Sequence, residues 1–88
     1  MDNNDMNIEH TGRIRVKNLS ARYALGKTTV YNRIKALGIK PERIGNRSYV
    51  NESQLASLDS LHEFIQRDGT TAEFLFLRSQ NLNTDSIN

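Results

Sequence analysis

The sequence predicts a mostly α domain carrying a small β-hairpin, and three observations carry that prediction. Apolar residues recur at helical spacing around residues 16–23, 30–37 and 55–65. Gly26 stands in the break between the first two of these segments, and Gly38 follows the second. Two short extended runs flank Gly45-Asn46, a pair suited to a two-residue hairpin loop.

The elements follow in order. Residues 1–11 are rich in Asn and Asp and are expected to form a disordered tail. Arg13-Ile14-Arg15-Val16 alternates charged and apolar, as a half-buried strand does. Residues 16–23 read as about two helical turns, with Val16, Leu19 and Tyr23 on one face. Ala24-Leu25-Gly26 interrupts the pattern, with Gly26 expected to supply the backbone freedom of a tight turn. A second helix spans about Lys27–Leu37, its inner face set by Val30, Ile34 and Leu37 and its end by Gly38. Two short helices joined by a short glycine-containing turn form a helix-turn-helix.

Residues 39–50 then read as a hairpin with a basic tip, Ile44 and Val50 covering the core. Asn51-Glu52-Ser53-Gln54 has the chemistry of a helix start: Asn51 caps, Gln54 reaches back, and Glu52 lies at the positive end of the helix dipole. That helix runs to about Arg67 on a Leu55, Leu58, Leu61 and Ile65 stripe, and Asp68-Gly69 ends it. Thr70 and Glu73, at capping-box spacing, restart a shorter helix. The result is a winged helix-turn-helix over 12–68, a C-terminal helix over 69–80 and a polar tail over 81–88.

Composition narrows the chemistry. A chain of 88 residues fits one domain with a modest core. It has no cysteine, which removes disulfides, zinc-thiolate sites and thiol catalysis. His10 and His62 stand far apart without ligand spacing, so neither a metal nor another cofactor is expected. No phosphate-binding glycine loop or Ser-His-Asp context points to an enzyme, and Glu52, Asp59, Glu63 and Asp68 read as a solvated helix face. No signal peptide or apolar run of about 20 residues is present, which predicts a soluble cytoplasmic protein without membrane contact. The Asn-x-Ser/Thr tripeptides at Asn18, Asn46 and Asn51 are therefore chance matches.

The net charge of +2 conceals a strong asymmetry. Residues 13–47 hold ten Lys and Arg against the single acid Glu42, while the rest of the chain holds Arg67 and Arg78 against nine acids. Such segregation points to a half that binds a polyanion. A helix in the DNA major groove packs one face on its own domain and offers the opposite face to base edges. Opposite Val30, Ile34 and Leu37 lie Thr28, Asn32 and Lys35, the candidates for base readout. Asn pairs with adenine, Lys donates to guanine, and a threonine methyl meets a thymine methyl. Lys27, Thr29, Tyr31 and Arg33 flank that face, and Arg13, Arg15, Lys17 and Arg22 precede it; all are candidates for backbone or flanking contact. Arg43, Asn46, Arg47 and Tyr49 make the wing, which can follow the backbone or enter the minor groove.

From about Val16 to Ile65 the order of parts resembles the MerR-like winged-helix DNA-binding domain. Gly45-Asn46-Arg47-Ser48-Tyr49 resembles the family's Gly-x-Arg-x-Tyr wing, and Glu52 with Leu55 and Leu58 resembles the helix that follows it. Leu37-Gly38-Ile39 and Pro41 resemble the Gly-Leu-x-x-Pro approach to the wing, and Thr29 and Val30 match the start of the Thr-Leu/Ile-Arg-Tyr-Tyr run. The match then ends at Tyr31-Asn32-Arg33, so the family's sequence preference and some phosphate contacts do not transfer. Ser20 also stands where the family usually has Ala.

Typical members add a long dimerisation helix and an effector domain, whereas about 20 residues here follow the third helix. The resemblance implies a stripped-down regulator that senses no small molecule. Phe74, Leu75, Phe76 and Leu77, apolar on every side, are then either the dimerisation element or a helix folded back over the core. Three functions follow: a homodimeric repressor on a short inverted repeat of double-stranded DNA, associated with the bacterial nucleoid; an excisionase-like recombination directionality factor; or a protein-binding adaptor.

Overall fold

A left-handed residue closes each of the first three helices and so sets the path of the chain. A computed structural model describes residues 12–87, and the side chains of 12–80; the expected tail over 1–11 lies outside the described residues. After a short strand β1 (Ile14–Arg15) and a 3-10 turn (Val16–Asn18), helix α1 covers Leu19–Tyr23. The two turns expected over 16–23 are thus a 3-10 turn feeding a short α-helix. Ala24 then takes φ +57°, and the Leu25 N–H donates back to the Ser20 carbonyl at 3.0 Å. Gly26, expected to carry this turn, instead has an extended φ of −73° as the N-cap of α2 (Lys27–Ala36). The strained position falls on an alanine.

Gly38, at φ +72°, ends α2 as expected; its N–H reaches Lys35, and that of Ile39 reaches Ile34, both at 3.0 Å. These two bonds are the Schellman pattern. The hairpin comprises β2 (Glu42–Ile44) and β3 (Arg47–Val50), with Ile44 paired to Arg47 across Gly45-Asn46. Gly45 at φ +62° supplies the positive φ that the loop needs. Strand β1 adds to the other edge of β3, Ile14 opposite Val50 and Arg15 opposite Tyr49, giving the antiparallel order β1-β3-β2.

Helix α3 (Glu52–Gln66) opens on a complete capping box: the Asn51 side chain accepts from the Gln54 N–H at 2.7 Å and the Gln54 side chain from the Asn51 N–H at 2.8 Å. It closes at Asp68, φ +71°, with the Gly69 N–H bonded to the Phe64 carbonyl. Helix α4 (Thr71–Ile87) opens on the Thr70–Glu73 box and continues through residues expected to be a polar tail. Once a box has nucleated a helix, polar residues with no breaker among them extend it.

The core is built where the periodicity placed it. Val16, Leu19 and Tyr23 meet Val30, Ile34 and Leu37, closed by Ile14, Val50, Leu58 and Leu61. Leu55, Ile65, Phe74 and Leu75 pack on this cluster. Ile44 does not join it: the side chain is 47% exposed, because its register partner Arg47 lies at the open tip of the hairpin. The described residues form a small α+β domain of four helices and a three-stranded antiparallel sheet, an arrangement compatible with a winged helix. No helix among the described residues is long and apolar enough to cross a membrane.

Candidate nucleic-acid interface

Cations gather in a groove bounded by β1, the 3-10 turn, the start of α2 and the hairpin. Its volume is about 410 Å³. Arg15 and Lys17 enter it from one side, Lys27 and Tyr31 from α2, and Arg43, Asn46 and Arg47 from the hairpin. The local reasons are simple. Residues 27 and 31 share a helix face at i, i+4 spacing, and the tight Gly45-Asn46 loop brings Arg43 and Arg47 to the same end of the hairpin. Pairing of β1 with β3 carries Arg15 to that sheet. Among the described residues five cations line the groove, and no acid does.

Helix α2 holds the candidate readout residues outside this groove. Thr28, Asn32 and Lys35 are all exposed, on the side away from buried Val30, Ile34 and Leu37. Thr29 is exposed on the flank. The helix therefore presents two surfaces: an outer polar face, and a groove-facing edge made by Lys27 and Tyr31.

Four candidates are engaged elsewhere. Arg13 forms a two-pronged pair with Glu42, at 2.8 and 3.2 Å, tying the start of β1 to β2. That hydrogen bond holds the Glu42 carboxyl below its ordinary range and the Arg13 guanidinium above its own. Arg22 grips both oxygens of Asp59 at 2.9 and 2.8 Å, joining α1 to α3. Arg33, half-buried, shares a 3.0 Å hydrogen bond with His62 Nδ1; the guanidinium is the donor. Tyr49, expected on the wing surface, is only 8% exposed, beside its register partners Arg15 and Glu42. Its successor Val50 covers the core from the opposite face of the strand, as strand alternation requires. Three of these residues thus have side-chain partners within the fold, and Tyr49 is buried in it.

Asp59 is the centre of a network that reading α3 as a solvated face misses. Besides Arg22 it accepts a 2.5 Å hydrogen bond from the Tyr23 hydroxyl. The Arg22 hydrogen bond, helped by that of Tyr23, holds the Asp59 carboxyl below its ordinary range against the opposing effect of burial. Burial and the Asp59 contact push the Tyr23 hydroxyl well above its ordinary value. The His62 ring packs on Tyr23 with centroids 4.7 Å apart. Asp59 and His62, one turn apart on α3, thus clamp residues from both α1 and α2. No sequence signal links partners 36 and 37 residues apart.

Ser20 and Ser48 also line the groove and were not singled out by charge or periodicity. Small polar residues between cations carry no distinctive pattern of their own. No group of three or more His, Asp or Glu among the described residues is placed to hold a metal ion. Comparison with known proteins adds nothing to this geometry: no family model, curated protein or solved structure matches the chain.

Proposed function

We propose that the chain is a winged helix-turn-helix protein that binds double-stranded DNA sequence-specifically and acts as a transcriptional repressor in the bacterial nucleoid. In this reading α1 and α2 are the helix-turn-helix, α2 is the recognition helix, and β2–β3 is the wing. One observation carries it: Arg15, Lys17, Lys27, Arg43 and Arg47 converge on one groove with no acid among its described lining residues. Like charges held together raise the energy of the free protein, and a polyanion relieves that repulsion by releasing its own counterions. A DNA strand seated between α2 and the wing satisfies all five.

The ten residues of α2 span about 15 Å, long enough to lie along several base pairs of a major groove. With Lys27 and Tyr31 against the phosphates, Thr28, Asn32 and Lys35 on the outer face read bases. Occupying a promoter then blocks transcription without chemistry at the site, which makes this a binding protein and not an enzyme.

The test is selection of bound genomic fragments at two salt concentrations, repeated with Thr28, Asn32 and Lys35 changed to alanine. Enrichment of one motif, lost in the triple variant while weak binding persists, supports the reading. An unchanged motif rejects α2 as the reader. Enriched direct repeats beside an integration site would instead indicate a recombination factor, and no retained DNA at low salt would reject DNA binding altogether.

A further inference from the structure

We propose that His62 of α3 is a pH-sensitive positioning residue for α2: its neutral ring holds Arg33, and its protonated ring releases that arginine to a DNA phosphate. The consequence for DNA rests on the function proposed above; the release itself does not. Three arginines are engaged within the fold, and they are not engaged alike. Arg13 and Arg22 are each gripped by a carboxylate, Glu42 and Asp59. Arg33 forms no ion pair among the described residues and is held at 3.0 Å by His62 Nδ1.

A guanidinium has only donors, so Nδ1 is the acceptor and the ring proton sits on Nε2, which lies 3.3 Å from the Gln66 side-chain amide. That arrangement exists only while the imidazole is neutral. Protonation puts a hydrogen on Nδ1, removes the acceptor and leaves two cations face to face. Imidazoles change charge between about pH 5 and 8. Glu42 and Asp59, both held below their ordinary range, stay ionised there and keep their arginines. Acidification therefore acts on Arg33 and spares Arg13 and Arg22.

The groups facing the ring come from three helices. Arg22 and Tyr23 approach from α1, the Tyr23 ring with its centroid 4.7 Å away, and Arg33 approaches from α2. Asp59, Glu63 and Gln66 lie on α3 itself. Asp59 and Glu63 favour the imidazolium, whereas Arg33 and Arg22 oppose it, and Arg22 is already neutralised by Asp59. Protonated His62 thus keeps acids beside it while Arg33 loses its partner. Both side chains are half-buried, so the ring exchanges protons with solvent and the freed guanidinium reaches it. At 100° per residue, Arg33 leaves α2 on the flank away from Lys27 and Tyr31. A helix in the major groove lies between two phosphate strands. With Lys27 and Tyr31 at one strand, freed Arg33 meets the other.

Two measurements on the full chain test this. Without DNA, NMR follows the His62 ring and the Arg33 side-chain N–H signals from about pH 8 to 5. The Arg33 signals should shift with the His62 midpoint, and stay still in His62→Gln, which keeps an acceptor but does not titrate. Arg33 signals indifferent to His62 overturn the release. Next, binding of a fluorescein-labelled DNA duplex of random sequence is measured against salt at both ends of that range. Acidification should steepen the slope of log K against log salt by about 0.9, the weight of one added phosphate contact. His62→Gln and Arg33→Ala should each cancel that change. A pH effect that survives in Arg33→Ala belongs to the charge of the ring alone and overturns the role of Arg33. A released Arg33 with an unchanged slope overturns the phosphate contact. A duplex that binds at neither pH rejects the DNA-binding reading, and the NMR titration then decides the release by itself.

Discussion

Asp59→Ala strikes the point where α3 grips α1, and its effect can be worked from the structure. The substitution removes the acceptor of the Tyr23 hydroxyl and both oxygens held by Arg22. Leaving a largely buried hydroxyl without its acceptor costs about 1–3 kcal/mol. The Arg22 pair is partly solvated, with side-chain exposures of 42% and 38%, so screening reduces its share to about 0.2–1 kcal/mol. The total is about 2 kcal/mol, or roughly 8–16 °C in melting temperature for a domain of this size. Thermal melts followed by circular dichroism would measure it, within a cycle that includes Tyr23→Phe. The two substitutions should couple by about 1 kcal/mol, because each removes one end of the same hydrogen bond. The pH dependence has a definite sign. Asp59 is held below its ordinary value in the folded protein, so its contribution is present above about pH 4 and is lost as pH falls through the lower folded value. Tyr23 is raised, so its contribution is present below about pH 10 and is lost as pH rises through its folded value. A melting temperature for Asp59→Ala within about 2 °C of wild type, or no coupling to Tyr23→Phe, refutes the network as a clamp.

Three further predictions test the fold and the groove. Ala24→Gly should stabilise the domain by about 1 kcal/mol, since glycine adopts the observed φ of +57° without the Cβ penalty; an unchanged or lower melting temperature would count against that geometry. Gly69→Ala should destabilise by about 1–3 kcal/mol, because the new Cβ would clash with the Phe64 ring, itself packed on Phe74; an unaltered denaturant midpoint would show that the ring moves freely. Arg47→Ala should reduce the magnitude of the slope of log K against log salt by about 0.9, whereas Arg13→Ala, already paired to Glu42, should leave it unchanged. Equal slope changes for the two arginines would contradict their separation.

The elements legible in the sequence were those whose signals lie within a few residues. Val30, Ile34 and Leu37 fixed the inner face of α2, and all three are buried. The boxes at Asn51–Gln54 and Thr70–Glu73, and the turn at Gly45, were readable because a cap or tight loop is a local contract between neighbours. What the sequence left unread depends on distance. Whether Arg22 meets a phosphate or Asp59 is decided by how α1 packs on α3, and periodicity says nothing of that. Ala24 was missed for another reason: once Leu25 donates to Ser20 the left-handed geometry is imposed, and the tertiary fold overrides residue preference. The division of Phe74 to Leu77, the first two packed on the core and Phe76 and Leu77 exposed, was likewise invisible, since a uniformly apolar run has no preferred face.

The division of the arginines bears on function. Arg13 and Arg22 stand in the same basic stretch as Arg15, Lys17 and Lys27, yet each of the two has a two-pronged acid partner brought from far along the chain. Glu42 and Asp59, the acids paired to this half among the described residues, are thus committed to fastening β1 to β2 and α1 to α3. A domain selected only for stability would gain from spreading acids among the remaining cations, since every like-charged neighbour opposes folding. Among the described residues the groove cations are left together without one. That pattern supports the proposed polyanion-binding surface, whose charge a polyanion would neutralise from outside. The groove beside Phe76, lined by Arg67, Asp68 and Glu73, shows that this chain also builds mixed surfaces. The one-signed groove is therefore a local feature of the hairpin and α2, and the salt dependence of Arg47 against Arg13 is the sharpest place to probe it.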